Sequence, residues 1–137
     1  MEINELKQFE DILVQDNTKG YYTPRVKIEE AQKYNHRKIS PIEIVIDIDL
    51  HNLELAKTIV THISQRLSYE NISHEVWFTP RSFHIHTFFK ELITYPKETR
   101  NILRKKFWER YCVGYLLWID TKKTEDTMIR NFGAEHE

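Results

Sequence analysis

An almost unbroken run of β-branched residues over 42–48 constrains this chain most, because such a run is typical of a strand with both faces covered. It leads into Asp47-Ile48-Asp49, and the alternation of side chains along a strand places both carboxylates on one face. Two like charges this close on a half-buried strand are unfavourable unless a cation neutralises them. The pattern predicts a site for Mg²⁺ or Mn²⁺, and the alternative is a pair of exposed acids beside the next helix.

The order of the predicted elements indicates the fold class. Asn52 is a suitable N-cap for an amphipathic helix, and a second long helix is predicted over 97–116. Alternating apolar residues predict strands at 75–78 and 83–89, joined by a tight turn. The order strand–helix–strand–strand–helix predicts an α+β domain built around a small, largely antiparallel sheet.

Length and composition limit the organisation of the chain. Its 137 residues predict a single domain, with a helical N-terminal segment over 1–41 (helices at 2–15 and 26–34) and a core over 42–137. A net charge of −1 gives no bulk attraction for nucleic acid, so such a partner needs local basic patches. Cys112, the single cysteine, excludes an intramolecular disulfide and is predicted to be buried. We expect a cytoplasmic protein without membrane segments, because the sequence has neither a signal peptide nor a membrane-spanning apolar run.

The second candidate block lies on the strand predicted over 83–89. His84 and His86 share one face of this strand, where they can hold a metal, contact phosphate or position a nucleophile. Partly buried histidines without a chemical role are the plainer alternative. In the preceding turn, Arg81 and Ser82 offer a guanidinium, a hydroxyl and backbone N–H groups, which together predict a phosphate-binding turn.

Two further features of the C-terminal half bear on chemistry. Asp120 follows the apolar pair Trp118-Ile119 and is the candidate third carboxylate, whereas the competing Asp126 lies in a short helix predicted over 124–129. The helix over 97–116 also carries several cations. A solvated helix face explains them equally well, but as a binding surface they would follow the phosphates of a template. These candidate nucleic-acid-binding residues are Arg100, Arg104, Lys105 and Lys106.

Taken together, the blocks resemble the catalytic domain of the archaeo-eukaryotic primase superfamily. That family has a DxD motif on one strand, an SxH motif on a later strand and a third acid after an apolar strand. Here the corresponding residues are Asp47 and Asp49, then Ser82-Phe83-His84, then Asp120. The segment 83–86 is also similar to the aromatic-His-Ile-His sequence of archaeal primase small subunits.

The tail is similar to the family's closing segment, with Arg130 and His136 as the matching residues. Two departures from the family pattern are visible. The usual glycine-rich turn before the histidine is replaced by Thr79-Pro80-Arg81-Ser82, and the chain ends one residue after His136. The resemblance therefore implies a catalytic core over 42–137 that is minimal or truncated at its C-terminus.

The resemblance implies an RRM-like sheet and a DNA primase or primase-polymerase that acts by a two-metal mechanism in the replication of cellular, plasmid or viral DNA. Asp47, Asp49 and Asp120 would be catalytic and would bind Mg²⁺ or Mn²⁺. The implied partners are a single-stranded DNA template, nucleoside triphosphates, and a helicase or a primase large subunit. The implied nucleotide-binding residues are Arg81, Ser82, His84, Arg130 and His136.

Two other functions stay open at this point. One is an inactive primase-like relative that serves as a nucleic-acid-binding or accessory subunit. The other is a rolling-circle replication initiator of the His-hydrophobic-His type, which the pair His84 and His86 also resembles. In that case Tyr111 or Tyr115 would be the nucleophile that nicks single-stranded DNA.

Overall fold

The structure, a computed structural model, describes Leu13 and residues 36–78 and 83–130; at 36–37 and 128–130 it describes the backbone alone. The predicted N-terminal helices over 2–15 and 26–34 lie outside these residues, apart from Leu13, which is helical and buried in the main core.

The elements follow one another in nearly the predicted order. Two short 3₁₀ helices, Lys90–Thr94 and Leu116–Trp118, flank the second α-helix. The strands and α-helices of the described residues are β1 (His36–Lys38), β2 (Glu43–Ile48), α1 (Leu53–Tyr69), β3 (Glu75–Phe78), β4 (Phe83–Phe88), α2 (Lys97–Tyr111) and β5 (Met128–Arg130).

Three strands form the main sheet in the antiparallel order β2-β4-β3, with β4 in the centre. In this register His84 of β4 lies opposite Asp47 of β2 on one side and Trp77 of β3 on the other. Both α-helices pack on this sheet, so the predicted α+β fold with a small antiparallel sheet is confirmed.

A second sheet of two strands was not expected from the sequence. β1 pairs antiparallel with β5, with Arg37 opposite Ile129. The sequence analysis predicted no strand in the segment of β1, and β5 overlaps the short helix predicted over 124–129. The sequence analysis was wrong here. Each of these strands has three residues, which is too short for an alternating pattern, and their pairing depends on contacts between segments far apart in the chain.

The helices follow local signals at their N-termini more closely than at their C-termini. The Asn52 side chain accepts a hydrogen bond of 3.1 Å from the Leu55 N–H and caps α1, as predicted. α2 ends at Tyr111 rather than at residue 116, and Cys112, which is buried as predicted, is its C-cap. Gly114 then takes a positive φ of 88°, a conformation that glycine adopts without strain and that directs the chain away from the helix axis.

The main core lies between the helices and one face of the sheet. Ile44, Ile46 and Ile48 of β2 and Phe83 and Ile85 of β4 point to that face and are buried against both helices. The opposite face carries Asp47, His84 and His86, so these side chains are separated from the main core by the sheet. No helix in the described residues is long and apolar enough to cross a membrane.

The outer edge of β2 is closed by hydrogen bonds although no full strand pairs with it. A backbone carbonyl that is buried without a hydrogen-bond partner is unfavourable, so each outward carbonyl of β2 needs a donor. The donors come from α2 and from the loop after it: the Arg104 guanidinium to Glu43 O, Trp108 Nε1 to Val45 O at 2.9 Å, and the Asp120 N–H to Asp47 O at 2.9 Å.

Candidate functional site

The loop after the second 3₁₀ helix brings the predicted third carboxylate to the first one. Ile119 forms an isolated antiparallel bridge with Ile48, and the Asp49 N–H donates a hydrogen bond of 2.7 Å to Trp118 O. Together with the Asp120 N–H to Asp47 O bond, this bridge works as a short fourth strand beside β2. The backbone at Asp120 is therefore fixed directly against the backbone at Asp47.

Asp47 also contacts the histidine of the second block. The two residues are cross-strand partners, and His84 Nε2 lies 3.3 Å from Asp47 Oδ1. Their side chains are 11% and 14% exposed, so the contact is largely screened from water. Nδ1 of His84 is buried and has no hydrogen-bond partner within the described residues.

A lysine that the sequence analysis did not select completes this cluster. Lys123 Nζ lies 3.7 Å from Asp47 Oδ2 and 3.8 Å from Asp120 Oδ2. Its ammonium thus occupies the position between two carboxylates where a divalent cation was predicted. The available signal was a lysine three residues after the third acid, a spacing that allows the side chain to turn back within one tight loop.

The donor set of Asp47 and Asp120 fits a hard divalent cation, since carboxylate oxygens are the ligands such ions prefer and these two carboxylates already flank a positive charge. Asp49 lies beyond the last residue of β2 and is exposed. Across the parts of the chain that the structure describes, no three or more His, Cys, Asp or Glu side chains are grouped so that they could hold a metal ion. The structure brings two of the three predicted ligands together, and the three-carboxylate site stays a prediction.

Asp126, the competing third acid, takes a different position. Its carboxylate is exposed and forms an ion pair with Lys97 at the start of α2. The structure therefore separates two acids that the sequence left as alternatives, and Asp120 is the one beside Asp47.

The predicted basic surface on α2 is smaller than expected. Arg104 is fully buried, so its guanidinium is not available to template phosphates, contrary to the sequence analysis. Arg100 is 14% exposed and forms an ion pair with Glu125 at 2.7 Å. Lys105 is exposed and Lys106 is half-buried, so of the four candidates Lys105 is the most accessible cation.

Glu125 ties the loop of Asp120 to α2. Its carboxylate accepts hydrogen bonds from Arg100 at 2.7 and 2.8 Å and from Arg104 at 2.7 Å. Burial acts to raise the pKa of Glu125, but the bonds from the two guanidinium groups outweigh it and the pKa is lowered overall. Burial lowers the pKa of Arg104 despite Glu125, whereas the hydrogen bond with Glu125 raises the pKa of Arg100.

A second acid–histidine pair lies beside the first on the same sheet face. His86 Nδ1 is 2.7 Å from Glu43 Oε2, and both side chains are fully buried. The Trp77 indole stacks on the His86 ring with centroids 3.7 Å apart, and the His84 and His86 rings are 5.9 Å apart. His86 is thus packed as part of the interior, and His84 is the histidine that reaches the carboxylate cluster.

The tyrosines considered as nucleophiles belong to the helical side of the sheet. Tyr111 packs in the main core, and its hydroxyl donates a hydrogen bond to Glu70. The Tyr115 hydroxyl lies 2.5 Å from His62 Nδ1. Because His84 points to the opposite face, the arrangement offers no support for a nicking site that combines it with either tyrosine.

The structure does not describe the side chains of the remaining predicted nucleotide-binding residues. Arg81, Ser82 and His136 lie outside the described residues. Arg130 is described through its backbone alone, as the last residue of β5 opposite His36. Their predicted contacts with a triphosphate stay predictions.

A groove of about 370 Å³ lies between α2 and the loop that follows Asp120. Its walls include Lys105 and Trp108 from the helix and Thr121 and Thr124 from the loop. A larger groove of about 480 Å³ contains Arg66, Arg110 and Tyr111, at the C-terminal ends of the two α-helices. Neither groove is lined by Asp47, His84, Asp120 or Lys123; the smaller one includes Thr121, the residue that follows Asp120 in the chain.

Comparisons with protein-family models, with curated proteins and with solved structures find no match for this chain.

Proposed function

We propose that this domain catalyses template-directed nucleotidyl transfer, as DNA primases and primase-polymerases do. One observation supports the proposal above the others. Asp47, His84 and Asp120 come from three separate segments and were selected from three separate motifs, yet they converge at one end of the sheet. Unrelated polar residues would not be expected to meet in the order and arrangement that the resemblance implies.

In this proposal Asp47 and Asp120 hold Mg²⁺ or Mn²⁺, and the exposed Asp49 is the candidate for a further ligand. When bound, the metal lowers the pKa of the attacking primer hydroxyl and neutralises charge on the leaving pyrophosphate. His84 is oriented by Asp47 through the contact at 3.3 Å. The resemblance implies that His84 then contacts the triphosphate, which would fix the nucleotide relative to the carboxylates.

The groove between α2 and the loop after Asp120 is not lined by the carboxylate cluster, so in this proposal it would hold a part of the template or nucleotide away from the reacting groups. Its volume of about 370 Å³ lies in the range of sites that enclose small ligands, which starts at roughly 300 Å³. Its wall carries one exposed cation, Lys105, and one exposed acid, Glu109, so a phosphate of the template or the nucleotide would be bound there by Lys105. Arg104 contributes only through the position of the helix, because its charge is buried.

The test is incorporation of labelled ribo- and deoxynucleotides on primed and unprimed single-stranded DNA, with Mn²⁺ and with Mg²⁺. Asp47→Asn and Asp120→Asn should each lower incorporation at least about a hundredfold. Mutating a residue that only hydrogen-bonds to a metal ligand can already lower activity by up to about a hundredfold, and these two residues are proposed to be ligands themselves. Asp126→Asn is the matched control. Asp126 is an acid in the same part of the chain as Asp120, but its carboxylate is paired with Lys97. Activity that survives Asp47→Asn, or no product under any condition, would contradict the proposal.

The inactive relative is the second candidate, and Lys123 is the observation that favours it. An ammonium between Asp47 and Asp120 neutralises part of their charge without a metal, as a binding module would need. Such a protein would bind single-stranded DNA without incorporating nucleotides, and Asp47→Asn would leave its binding unchanged. Measuring DNA binding and incorporation on the same variants separates the two functions.

A further inference from the structure

We infer that Lys123 is an internal cation that a divalent metal must displace before it binds Asp47 and Asp120. The inference rests on the proposed function, because it concerns the metal pair of that site. It assigns a role to a residue that neither motif spacing nor resemblance indicated. The role is to set how much free metal the protein needs for its site to fill.

The geometry makes the ammonium a substitute for the metal rather than a permanent part of the cluster. Lys123 Nζ is nearly equidistant from Asp47 Oδ2 and Asp120 Oδ2, at 3.7 and 3.8 Å. Both distances exceed the roughly 3.2 Å limit of a good N–H···O hydrogen bond, so charge attraction holds the ammonium in place. Displacing it breaks no short bond within this cluster.

The side chain has a route out of the cluster. It is 21% exposed, and lysine carries its compact charge on a flexible four-carbon stem. An ammonium that leaves the carboxylates therefore regains its hydration in nearby water. An arginine in this position would be held more firmly, because its planar fork binds a carboxylate through two hydrogen bonds.

The balance of charge gives the expected sign of the effect. With Lys123 in place the two carboxylates and the ammonium sum to one negative charge, and without it they sum to two. A divalent ion is attracted more strongly to the second arrangement and does not have to remove a competing cation first. Removing the charge of Lys123 should therefore tighten metal binding, although a substitution in a functional site would ordinarily weaken it.

The chain provides a matched control in the adjacent residue. Lys122 is exposed, and it is the backbone N–H of Lys122 that donates a hydrogen bond of 2.9 Å to Asp120 Oδ1. Lys122→Gln therefore removes the same charge from the same loop while the hydrogen bond to Asp120 is kept. A general change in the electrostatic potential would affect both variants, and displacement from the cluster would affect only Lys123→Gln.

The experiment is a Mn²⁺ titration of the full chain without nucleotide, in which electron paramagnetic resonance measures the free ion. We expect Lys123→Gln to lower the Kd for Mn²⁺ about tenfold, a factor in keeping with two ion pairs in a partly buried site. Lys122→Gln and Lys123→Arg should not tighten binding, and Asp47→Asn should weaken it. Circular dichroism of each variant verifies that the fold is retained.

The outcomes separate this inference from the proposed function. Mn²⁺ binding that Asp47→Asn weakens but Lys123→Gln leaves unchanged would overturn the role of Lys123 and leave the metal pair in place. Tightening by Lys122→Gln to the same degree would also overturn it. If neither the wild type nor Lys123→Gln bound Mn²⁺, the displacement would be refuted, and the incorporation assay would judge the proposed function independently.

Discussion

Replacing Arg104 with methionine should destabilise this domain strongly, and far more than the same replacement at Lys105, the next residue of α2. Methionine fills much of the same space as arginine but has no N–H groups. The wild-type guanidinium donates to Glu43 O at 2.8 and 3.0 Å and to Glu125 Oε2 at 2.7 Å. It also reaches Ser40 O at 3.0 Å and Asn101 Oδ1 at 3.0 Å.

The magnitude follows from what is left behind. In Arg104→Met the carboxylate of Glu125 loses one of its two arginine partners, and buried Glu43 O loses its donors. Glu125 keeps Arg100 as a partner, so most of the cost comes from buried acceptors that lose their donor, at about 1–3 kcal/mol each, and the total should reach about 3–5 kcal/mol. A domain of this size has a free energy of unfolding of roughly 5–15 kcal/mol, so a large share of it would be lost. The melting temperature should fall by roughly 10–15 °C.

Urea denaturation followed by tryptophan fluorescence measures this change, with Lys105→Met as the control. Lys105 is the next residue on the helix and is exposed, so its substitution should alter the free energy of unfolding by no more than about 0.5 kcal/mol. A double-mutant cycle with Glu125→Gln isolates the ion pair. A loss of less than about 1 kcal/mol in Arg104→Met, the worth of one ordinary hydrogen bond, would refute the reasoning.

Three further predictions concern the same interior. The pKa of Glu125 is lowered in the folded state, so Glu125 stabilises the protein fully at pH values above the ordinary glutamate pKa of about 4.3. This stabilisation is lost as the pH falls through the lowered pKa. Urea melts across that range should show that Glu125→Gln is less stable near neutrality and declines less towards acid. Burial raises the pKa of Cys112 to about 12, so iodoacetamide at about pH 8 should label it only after unfolding, and rapid labelling of the native protein would contradict this. Trp108→Phe leaves the buried Val45 O without its indole donor and should cost about 1–3 kcal/mol by urea denaturation; an unchanged midpoint would contradict the assignment.

The parts of the fold that the sequence predicted are those with signals within a few residues. The run of β-branched residues predicted β2, and Asn52 marked the start of α1, because strand alternation and helix capping are local effects. The candidate site was partly predictable for the same reason. Asp47, His84 and Asp120 each stand at a recognisable place on or after a strand, and the structure brings them together.

The parts that could not be predicted depend on contacts between distant segments. The pairing of β1 with β5 joins residues at opposite ends of the domain. Arg104 looks like any other cation on a charged helix, and its burial follows from carbonyls more than sixty residues earlier in the chain. Lys123 has an adjacent lysine of identical type, so only the path of the loop decides which of the two reaches Asp47.

The closed edge of β2 connects the stability of the fold with the geometry of the site. Arg104 and Trp108 satisfy the first two outward carbonyls of that strand, and the backbone of Asp120 satisfies the third. Glu125, five residues further on, is bound to Arg104 in turn. The loop that carries Lys123 is therefore anchored at both of its ends by contacts that need no metal. It follows that the carboxylates meet as part of folding, and that a metal ion would compete with Lys123 for a pair that is already assembled.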